Sequence, residues 1–340
     1  MSKPLYAEAG VDLAGAEAAK QRIARAIEAT RTRETRGSVG AFGGMVAVPP
    51  DIEHPLLVLS MDGVGTKVLV ARAAGRYDSV GEDLVNHSVN DILVHGARPL
   101  AFLDYVAGSG MSVEEIAALV EGVARGCIRH GMTLAGGETA QMPGLYRPGE
   151  YDLAGTIVGV VAEADAIHGD RIVAGDILLG YESSGLHTNG YTLARKIVFE
   201  QHRLGLEDRL PGTEQSVVEV LLAVHRSYFA AVSPVLEGMH GLAHITGGGI
   251  PGNLIRVLPE RCAAMLDTDS WNWPPAFEYL CKAGPVSLAE MRDVFNLGVG
   301  LIAVLPASQV DAARAAAERS QCRTWVMGHV EAGERSVRFG

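Results

Sequence analysis

The sequence predicts an α/β architecture, or an interleaved α+β one, arranged as two domains. Three observations predict it. Apolar positions switch repeatedly between short continuous or alternating runs and a period near 3.6, in both halves of the chain, as strands alternating with helices require. The 340 residues exceed what one hydrophobic core ordinarily organises and suit about two domains. Glycine supplies 41 of the 340 residues, about 12% against roughly 7% in average usage, so tight turns and backbone-lined ligand loops are expected.

In the first half, Ala16, Ala19, Ile23, Ala26 and Ile27 form a helical stripe, followed by a glycine-containing segment over 37–44 that includes Phe42, Gly43 and Gly44. Residues 56–61 read as a buried strand. A helix over 78–95 buries Val80, Leu84, Val85, Val89 and Ile92, and residues 100–106 return as a strand. Ser112 and Glu115 have capping-box spacing and open a helix whose inward positions are Val113, Ile116, Ala117, Val120, Val123, Ala124 and Cys127. Strands are expected at 132–135 and 153–161.

The polar, turn-prone stretch 163–175 suits a domain junction, giving domains 1–163 and 164–340. The second half opens with a strand over 177–181 and a helix over 189–201. A long amphipathic helix is expected over 216–236, then a strand near 243–245 leading into Gly247, Gly248 and Gly249 and a helix. A late strand covers 300–305. No short-period repeat or low-complexity tract interrupts the chain.

The most informative segment is the exit of the 56–61 strand, which delivers Asp62, Gly63, Gly65, Thr66 and Lys67. A carboxylate can hold Mg²⁺, glycines let the backbone approach a ligand, and Lys67, one of five lysines, can neutralise phosphate charge. The spacing is not that of a Walker A loop, and alone it equally suits a plain strand-to-helix turn. Four further segments add polar groups at the ends of apolar elements. On the 78–95 helix, Asn86 and Asn90 share a face with Asp91 beside them, which alone suits a polar helix face. Gly136, Gly137, Glu138 and Thr139 pair flexible backbone with a carboxylate and a hydroxyl, as a cation or phosphate site needs and as an ordinary glycine turn also provides. Ser183, Ser184, His187 and Asn189 lie between a strand and a helix, where amides and hydroxyls can bind an anion and His187 can carry a proton near neutral pH. The segment lacks the spacing of a nucleophile elbow. Gly247 and Gly248 offer backbone N–H groups before another helix, or simply turn the chain.

Composition excludes several classes. Aromatic residues make up 6%, the net charge is −11 and the pI is near 5.5, so neither a base-stacking surface nor a basic footprint on nucleic acid or membrane is expected. Cys127, Cys262, Cys281 and Cys322 show neither CxxC nor zinc spacing and read as buried thiols in a reducing cytosol. No signal-peptide core or membrane-length apolar run is present, so a cytoplasmic location is expected.

Taken together, the motifs resemble those of the phosphoribosylformylglycinamidine cyclo-ligase (aminoimidazole ribonucleotide synthetase) family. The resemblance runs almost end to end: YAEAGVDLAG at 6–15, FGG at 42–44, DGVGTK at 62–67, VNDI at 89–92, FLDY at 102–105, GGETAQMPG at 136–144, YDLAG at 151–155, SSGLHTNGY at 183–191, ITGGG at 245–249 and RVLP at 256–259. It implies ATP-driven closure of the imidazole ring of formylglycinamidine ribonucleotide, through an iminophosphate, with release of ADP and phosphate. It further implies a homodimer in which N-terminal domains pair as a β-barrel, a C-terminal α/β domain, and an active site in the cleft between domains. Carried onto this chain, Asp62, Asp91 and Glu138 become the Mg²⁺ ligands, Lys67, Asn90 and His187 the catalytic groups, and Phe42, Gly43, Gly44, Gly63, Gly65, Thr66, Gly136, Gly137 and Thr139 further ATP contacts. Ser183, Ser184, His187, Asn189, Gly247 and Gly248 become the substrate side. Three departures stand out: Gln141 where the family pattern often has Glu, Asn86-His87-Ser88 before Val89, and Ile250-Pro251-Gly252-Asn253 after the triple glycine. ATP-dependent relatives sharing the general fold, such as thiamine-monophosphate kinase, selenophosphate synthetase, the hydrogenase-maturation dehydratase and the purine amidotransferase, fit the motifs, cysteines or length less well. A nonenzymatic nucleotide sensor is the alternative of a different class.

Overall fold

Alternation of apolar side chains along extended segments decides which face of each sheet is covered, and the two larger sheets of this protein solve that problem differently. A computed structural model describes residues 13–38 and 40–340, so the 6–12 part of the first motif lies outside the described residues, as do the side chains of Ala16 and Ala19. The chain divides into two compact units, Met1–Ile92 with Arg98–Ala162, and Leu93–Ala97 with Glu163–Gly340.

The first unit opens with helix Leu13–Glu28, and short strands β1 (Thr35–Arg36) and β2 (Met45–Val46) pair antiparallel. Its main sheet contains β3 (Pro55–Gly63), β4 (Arg98–Gly108), β5 (Thr133–Gln141) and β6 (Tyr151–Ala162) in the order β3-β6-β4-β5. β4 and β5 run parallel, joined through the helix Val113–Arg129, while β6 is antiparallel to both β3 and β4. That helix starts at the expected capping box, with the Glu115 N–H donating to Ser112 Oγ and the Ser112 N–H to Glu115 Oε2. It packs closely on the helix Asp78–Leu93 because both carry glycine at the contact. A Cβ on Gly81 would stand 2.2 Å from Leu119 O, and one on Gly122 2.1 Å from Asp78 O. Phe102 and Ile157 are fully buried on the face these helices cover.

The opposite face differs from expectation. β3 is not a buried strand: Leu57, Leu59 and Met61 are 48%, 64% and 68% exposed, and Leu103 of β4 is 39% exposed. Register aligns Met61, Thr156 and Leu103 in one row, so the apolar side chains share a single uncovered face. A second difference concerns Gly136 to Gln141, read as a turn and found within β5. Gly137 pairs with Asp104, and a Cβ there would fall 2.0 Å from Asp104 Oδ1. The glycine admits a close carboxylate rather than turning the chain.

The second unit holds a six-stranded sheet of β7 (Ile177–Glu182), β8 (Gly241–His244), β9 (Cys262–Leu266), β10 (Val299–Leu305), β11 (Thr324–Ala332) and β12 (Ser336–Phe339), ordered β12-β9-β11-β7-β10-β8. Only the β12–β9 pairing is parallel. All seven residues of β10 are buried. Its alternate side chains divide between two cores, Val299, Ile302 and Val304 on one face and Leu301, Ala303 and Leu305 on the other, as a strand covered on both sides demands. The single long helix expected over 216–236 is instead Val217–Leu221, Phe229–Val232 and the 3₁₀ segment Ser233–Gly238, with residues 223–228 irregular between them. The break lets His225 be fully buried where a continuous amphipathic helix would have set its own register. The helix after His187 is a short α segment, Tyr191–Arg195, continuing as π-helix over Lys196–Gln201. The four cysteines are free thiols; Cys281 is half-buried and the others are buried.

Candidate active site

In the first unit, period two on β3 puts Ser60 and Asp62 on the face toward the helix Asp78–Leu93. On that helix Asp83, His87 and Asp91 recur every four residues and so line one stripe. The two rows meet. His87 Nε2 lies 2.7 Å from Asp62 Oδ2 and 3.4 Å from Asp91 Oδ2. The Gly63 N–H donates to Asp62 Oδ1 (2.8 Å), and Ser60 Oγ donates to Asp91 Oδ2 (3.3 Å). Burial works to discharge His87, but the hydrogen bonds and charges of Asp62 and Asp91 outweigh it and lift its pKa to about 10. Burial likewise pushes Asp62 up, and His87 with the Gly63 N–H holds it below the usual carboxylate value. The Asp62 and Asp91 side chains remain 40% and 23% exposed. Both carboxylates are thus engaged by one cationic imidazole, with an open side to water.

Lys67 stands elsewhere. Expected as a phosphate partner, it is fully buried at the start of the helix Lys67–Ala74, with Nζ 2.7 Å from Asp83 Oδ2. Burial draws its ammonium below the ordinary lysine value against the pull of Asp83. Thr66 occupies the position preceding that helix without a side-chain capping bond, and Gly65 takes φ 62°. Asn90 is fully buried.

Glu138 is also separate from the Asp62–Asp91 pair. Register aligns Asp62, Gly155, Asp104 and Gly137 across three inter-strand steps, about 14 Å along the sheet, so Glu138 stands on the opposite edge strand from Asp62. Its setting is a cavity of about 880 Å³ lined by Phe42, Gly43 and Gly44 from one segment and Gly136, Gly137, Glu138 and Thr139 from β5. This cavity brings together the two glycine-rich segments singled out in the sequence. Asp104, not marked as a site residue by sequence reasoning, lines it too, and burial lifts its carboxyl to a pKa of about 7.

In the second unit, the loop 183–190 is held by its own polar groups. Ser184 Oγ donates to Val224 O (2.5 Å). The Ser183 hydroxyl lies 3.0 Å from Gly185 O and 3.1 Å from Asn296 Oδ1, while Asn296 Nδ2 donates to Gly185 O (2.8 Å). The serine hydroxyls, expected on the substrate side, are turned inward as loop ties. His187 adopts φ 63°, unusual for a side chain with a Cβ, and its Nε2 accepts the Ser184 N–H at 3.1 Å. In the neutral imidazole the proton therefore sits on Nδ1, making His187 a donor there. The His225 ring stacks on it at 3.9 Å, and His225 Nε2 lies 3.1 Å from His244 Nε2. Asn189 Oδ1 approaches Gly247, joining the loop to the triple-glycine turn, where Gly248 and Gly249 have φ 93° and 58°. Buried Asn253 staples that turn: its Nδ2 reaches Thr246 O, Gly247 O and Gly249 O at 3.3, 3.2 and 2.7 Å.

Sequence reasoning passed over His87, Asp104, His225, His244, Asn253 and Asn296 as site residues. The fourfold spacing 83, 87, 91 is a signal for His87, and Asn253 is tied locally to the 246–249 turn; the others are positioned by contacts distant in the chain.

Residues 45–161 match the N-terminal domain model, and residues 173–340 the C-terminal domain model, of the AIR synthase related proteins. The chain is 47% identical over 329 residues to the phosphoribosylformylglycinamidine cyclo-ligase of Sorangium cellulosum, covering 96% of this chain and 94% of that protein. The enzymes of the same name from Myxococcus xanthus and Geobacter metallireducens are 46% and 44% identical, covering 97% and 98% of this chain and 96% and 98% of theirs. Among solved structures, thiamine-monophosphate kinase from Stenotrophomonas maltophilia superposes with a TM-score of 0.70 at 21% identity, covering 94% of both chains. The E. coli hydrogenase maturation protein HypE gives 0.63 at 16%, covering 94% and 93%. At those identities the likeness is one of two-domain fold alone. On the near full-length sequence agreement, the chain belongs to the phosphoribosylformylglycinamidine cyclo-ligase family.

Proposed function

We propose that this protein closes the imidazole ring of formylglycinamidine ribonucleotide at the expense of ATP, yielding aminoimidazole ribonucleotide, ADP and phosphate, a cytoplasmic step of de novo purine synthesis. The observation that carries the reading is the single cavity in which Phe42, Gly43 and Gly44 meet Gly136, Gly137, Glu138 and Thr139, in a chain 47% identical to a cyclo-ligase.

The formamide carbon of the substrate is a poor electrophile because its oxygen is a poor leaving group. Transfer of the terminal phosphoryl group of ATP to that oxygen gives an iminophosphate. The ribose-bearing nitrogen then attacks the former formyl carbon, phosphate departs, and the nitrogen loses its proton. Such transfers are accelerated chiefly by positioning and by fixed charge. The free edge of β5 and the Gly43-Gly44 backbone supply N–H groups to the phosphates, joined by the Thr139 hydroxyl. Asp62 and Asp91 would hold Mg²⁺, which neutralises phosphate charge when bound. Glu138, on the opposite edge strand, is assigned to the nucleotide and to the metal that accompanies its phosphates. Lys67 acts through Asp83, fixing the helix that bears Asn90 and Asp91. In the second unit, His187 is the proton carrier of the substrate side, which Asn189, Gly247 and Gly248 line, with Ser183 and Ser184 shaping the loop.

We assign nucleotide binding and dimerisation to residues 1–163 and substrate contacts to 164–340. The uncovered apolar face of β3, β6 and β4 supports pairing of two N-terminal sheets in a homodimer. No described helix is long and apolar enough to cross a membrane.

The test is incubation of the purified chain with ATP, Mg²⁺ and formylglycinamidine ribonucleotide, following phosphate and aminoimidazole ribonucleotide together. Equal amounts of both are expected; a sensor would bind ATP without cyclised product, and a kinase would leave this substrate unchanged. Asp62→Asn is expected to fold normally and to lose turnover by about 100-fold or more, as removal of a charge-stabilising group commonly does. Near-normal turnover in that variant would remove Asp62 from the machinery.

A further inference from the structure

We propose that Asn253 is a positioning residue for the substrate side: by holding the carbonyl groups of the triple-glycine turn it fixes Gly247 and Gly248 with their N–H groups turned outward, and so sets the affinity for formylglycinamidine ribonucleotide without touching it. The inference rests on the reading above that Gly247 and Gly248 line the substrate side, and deepens it. Three consecutive glycines have more backbone freedom to lose than any other run of three residues, so a fixed turn here needs a restraint. The backbone supplies little of it. The Gly249 N–H donates to Thr246 O at 3.1 Å, and the Gly252 N–H to Gly248 O at 3.0 Å.

Asn253 supplies the rest. It lies in the helix Gly249–Leu254, one helical turn beyond Gly249, so its side chain reaches back over the segment that precedes the helix. Its Nδ2 meets the carbonyl oxygens of Thr246, Gly247 and Gly249 at 3.3, 3.2 and 2.7 Å. Its Oδ1 accepts from Thr246 Oγ1 (3.2 Å) and from Arg256 Nη1 (3.4 Å), which fixes the amide with its donor side toward the carbonyls. In a trans peptide unit the C=O and N–H bonds point opposite ways. Drawing the Thr246 and Gly247 carbonyls to Asn253 therefore turns the N–H groups of Gly247 and Gly248 away from it. Both glycines are exposed, and among the described residues no backbone carbonyl takes either N–H. Asn253 itself is only 4% exposed, so its effect on the substrate passes through the backbone it holds.

The experiment measures kcat and the KM for each substrate on the full chain, with folding checked by thermal unfolding. Asn253→Ala should raise the KM for formylglycinamidine ribonucleotide about 10–100-fold, as misplaced binding groups commonly do, while the KM for ATP and kcat stay within a few-fold of wild type. Asn253→Asp keeps the shape but sets acceptors against the three carbonyls, and should be impaired at least as strongly. A lower active fraction with both KM values unchanged would mark a purely structural role and overturn the proposal. So would an equal rise in both KM values, or wild-type substrate affinity in Asn253→Asp. Gly247→Leu tests the underlying reading separately. Gly247 has no positive φ, and a Cβ there would meet only Asn189 Oδ1, at 3.4 Å, so this variant leaves Asn253 in place while filling the outward face. It should raise the same KM. An unchanged KM in Gly247→Leu would overturn the assignment of the turn to the substrate, whereas a raised KM there with an unchanged one in Asn253→Ala would overturn the role of Asn253 alone.

Discussion

Lys67 and Asp104 carry the sharpest consequences at the scale of single residues. Lys67 and Asp83 are both fully buried and 2.7 Å apart, and removing one partner of such a pair typically costs about 3–5 kcal/mol. Lys67→Met is therefore expected to lower stability by that order in denaturant titration, with an apolar partner at Asp83 restoring much of it. A variant of normal stability with a raised KM for ATP would return Lys67 to the phosphates. Asp104 presents the opposite electrostatic case. Burial keeps its carboxyl protonated up to about pH 7, while the unfolded chain releases that proton near pH 3.8. The folded state consequently binds the extra proton, and stability from this group falls as pH rises from about 4 to about 7 and levels off above. The displacement corresponds to on the order of 4 kcal/mol. Asp104→Asn should flatten that part of the stability–pH curve and be more stable than wild type at pH 8; an unchanged slope would show that Asp104 ionises normally.

At the scale of elements, the sequence disclosed those whose periodicity is local. The capping box at Ser112 and Glu115, the stripe of the helix Asp78–Leu93 and the continuous apolar run of β10 all reflect interactions within a few residues or uniform burial. Where distant contacts decide, the sequence pattern misleads. Glycines at 136 and 137 look like a turn, yet they continue β5, and at Gly137 a carboxylate from β4 fills the space a side chain would take. The apolar spacing over 216–236 suits one helix, yet burial of His225 against His187 interrupts it. The candidate site divides along the same line: DGVGTK and GGET were legible as glycine plus charge, but the diversion of Lys67 to Asp83 and the inward serines depend on partners the motifs do not contain. Gly137→Ala tests this reading of β5. Its Cβ, 2.0 Å from Asp104 Oδ1, forces the two strands or the carboxylate to shift, with an expected cost of about 1–3 kcal/mol and weaker ATP binding. Wild-type stability and ATP affinity in this variant would mean that Asp104 moves aside freely.

For the whole molecule, the uncovered face of the first sheet is the feature that a single chain leaves unresolved. Leu57, Leu59 and Met61 alternate along β3 and point the same way, joined in register by Thr156 and Leu103, so the exposed apolar surface spans three adjacent strands rather than isolated positions. Isolated surface leucines need no explanation, but a contiguous apolar face of this kind marks an interface. In the homodimer proposed above a second copy would meet the requirement, because a two-fold axis sets the same apolar rows against each other and covers both at once. Charge placed at the centre of that face would have to be desolvated in the pair but not in the separate chain. Leu59→Lys with Met61→Lys is accordingly expected to leave the separate chain folded and to shift the protein from dimer to monomer in light scattering after size exclusion, at micromolar concentration. The unaltered protein should remain dimeric under the same conditions. A double variant that stays dimeric, or a wild-type chain that elutes as a monomer, would show that this face is not where the two copies meet.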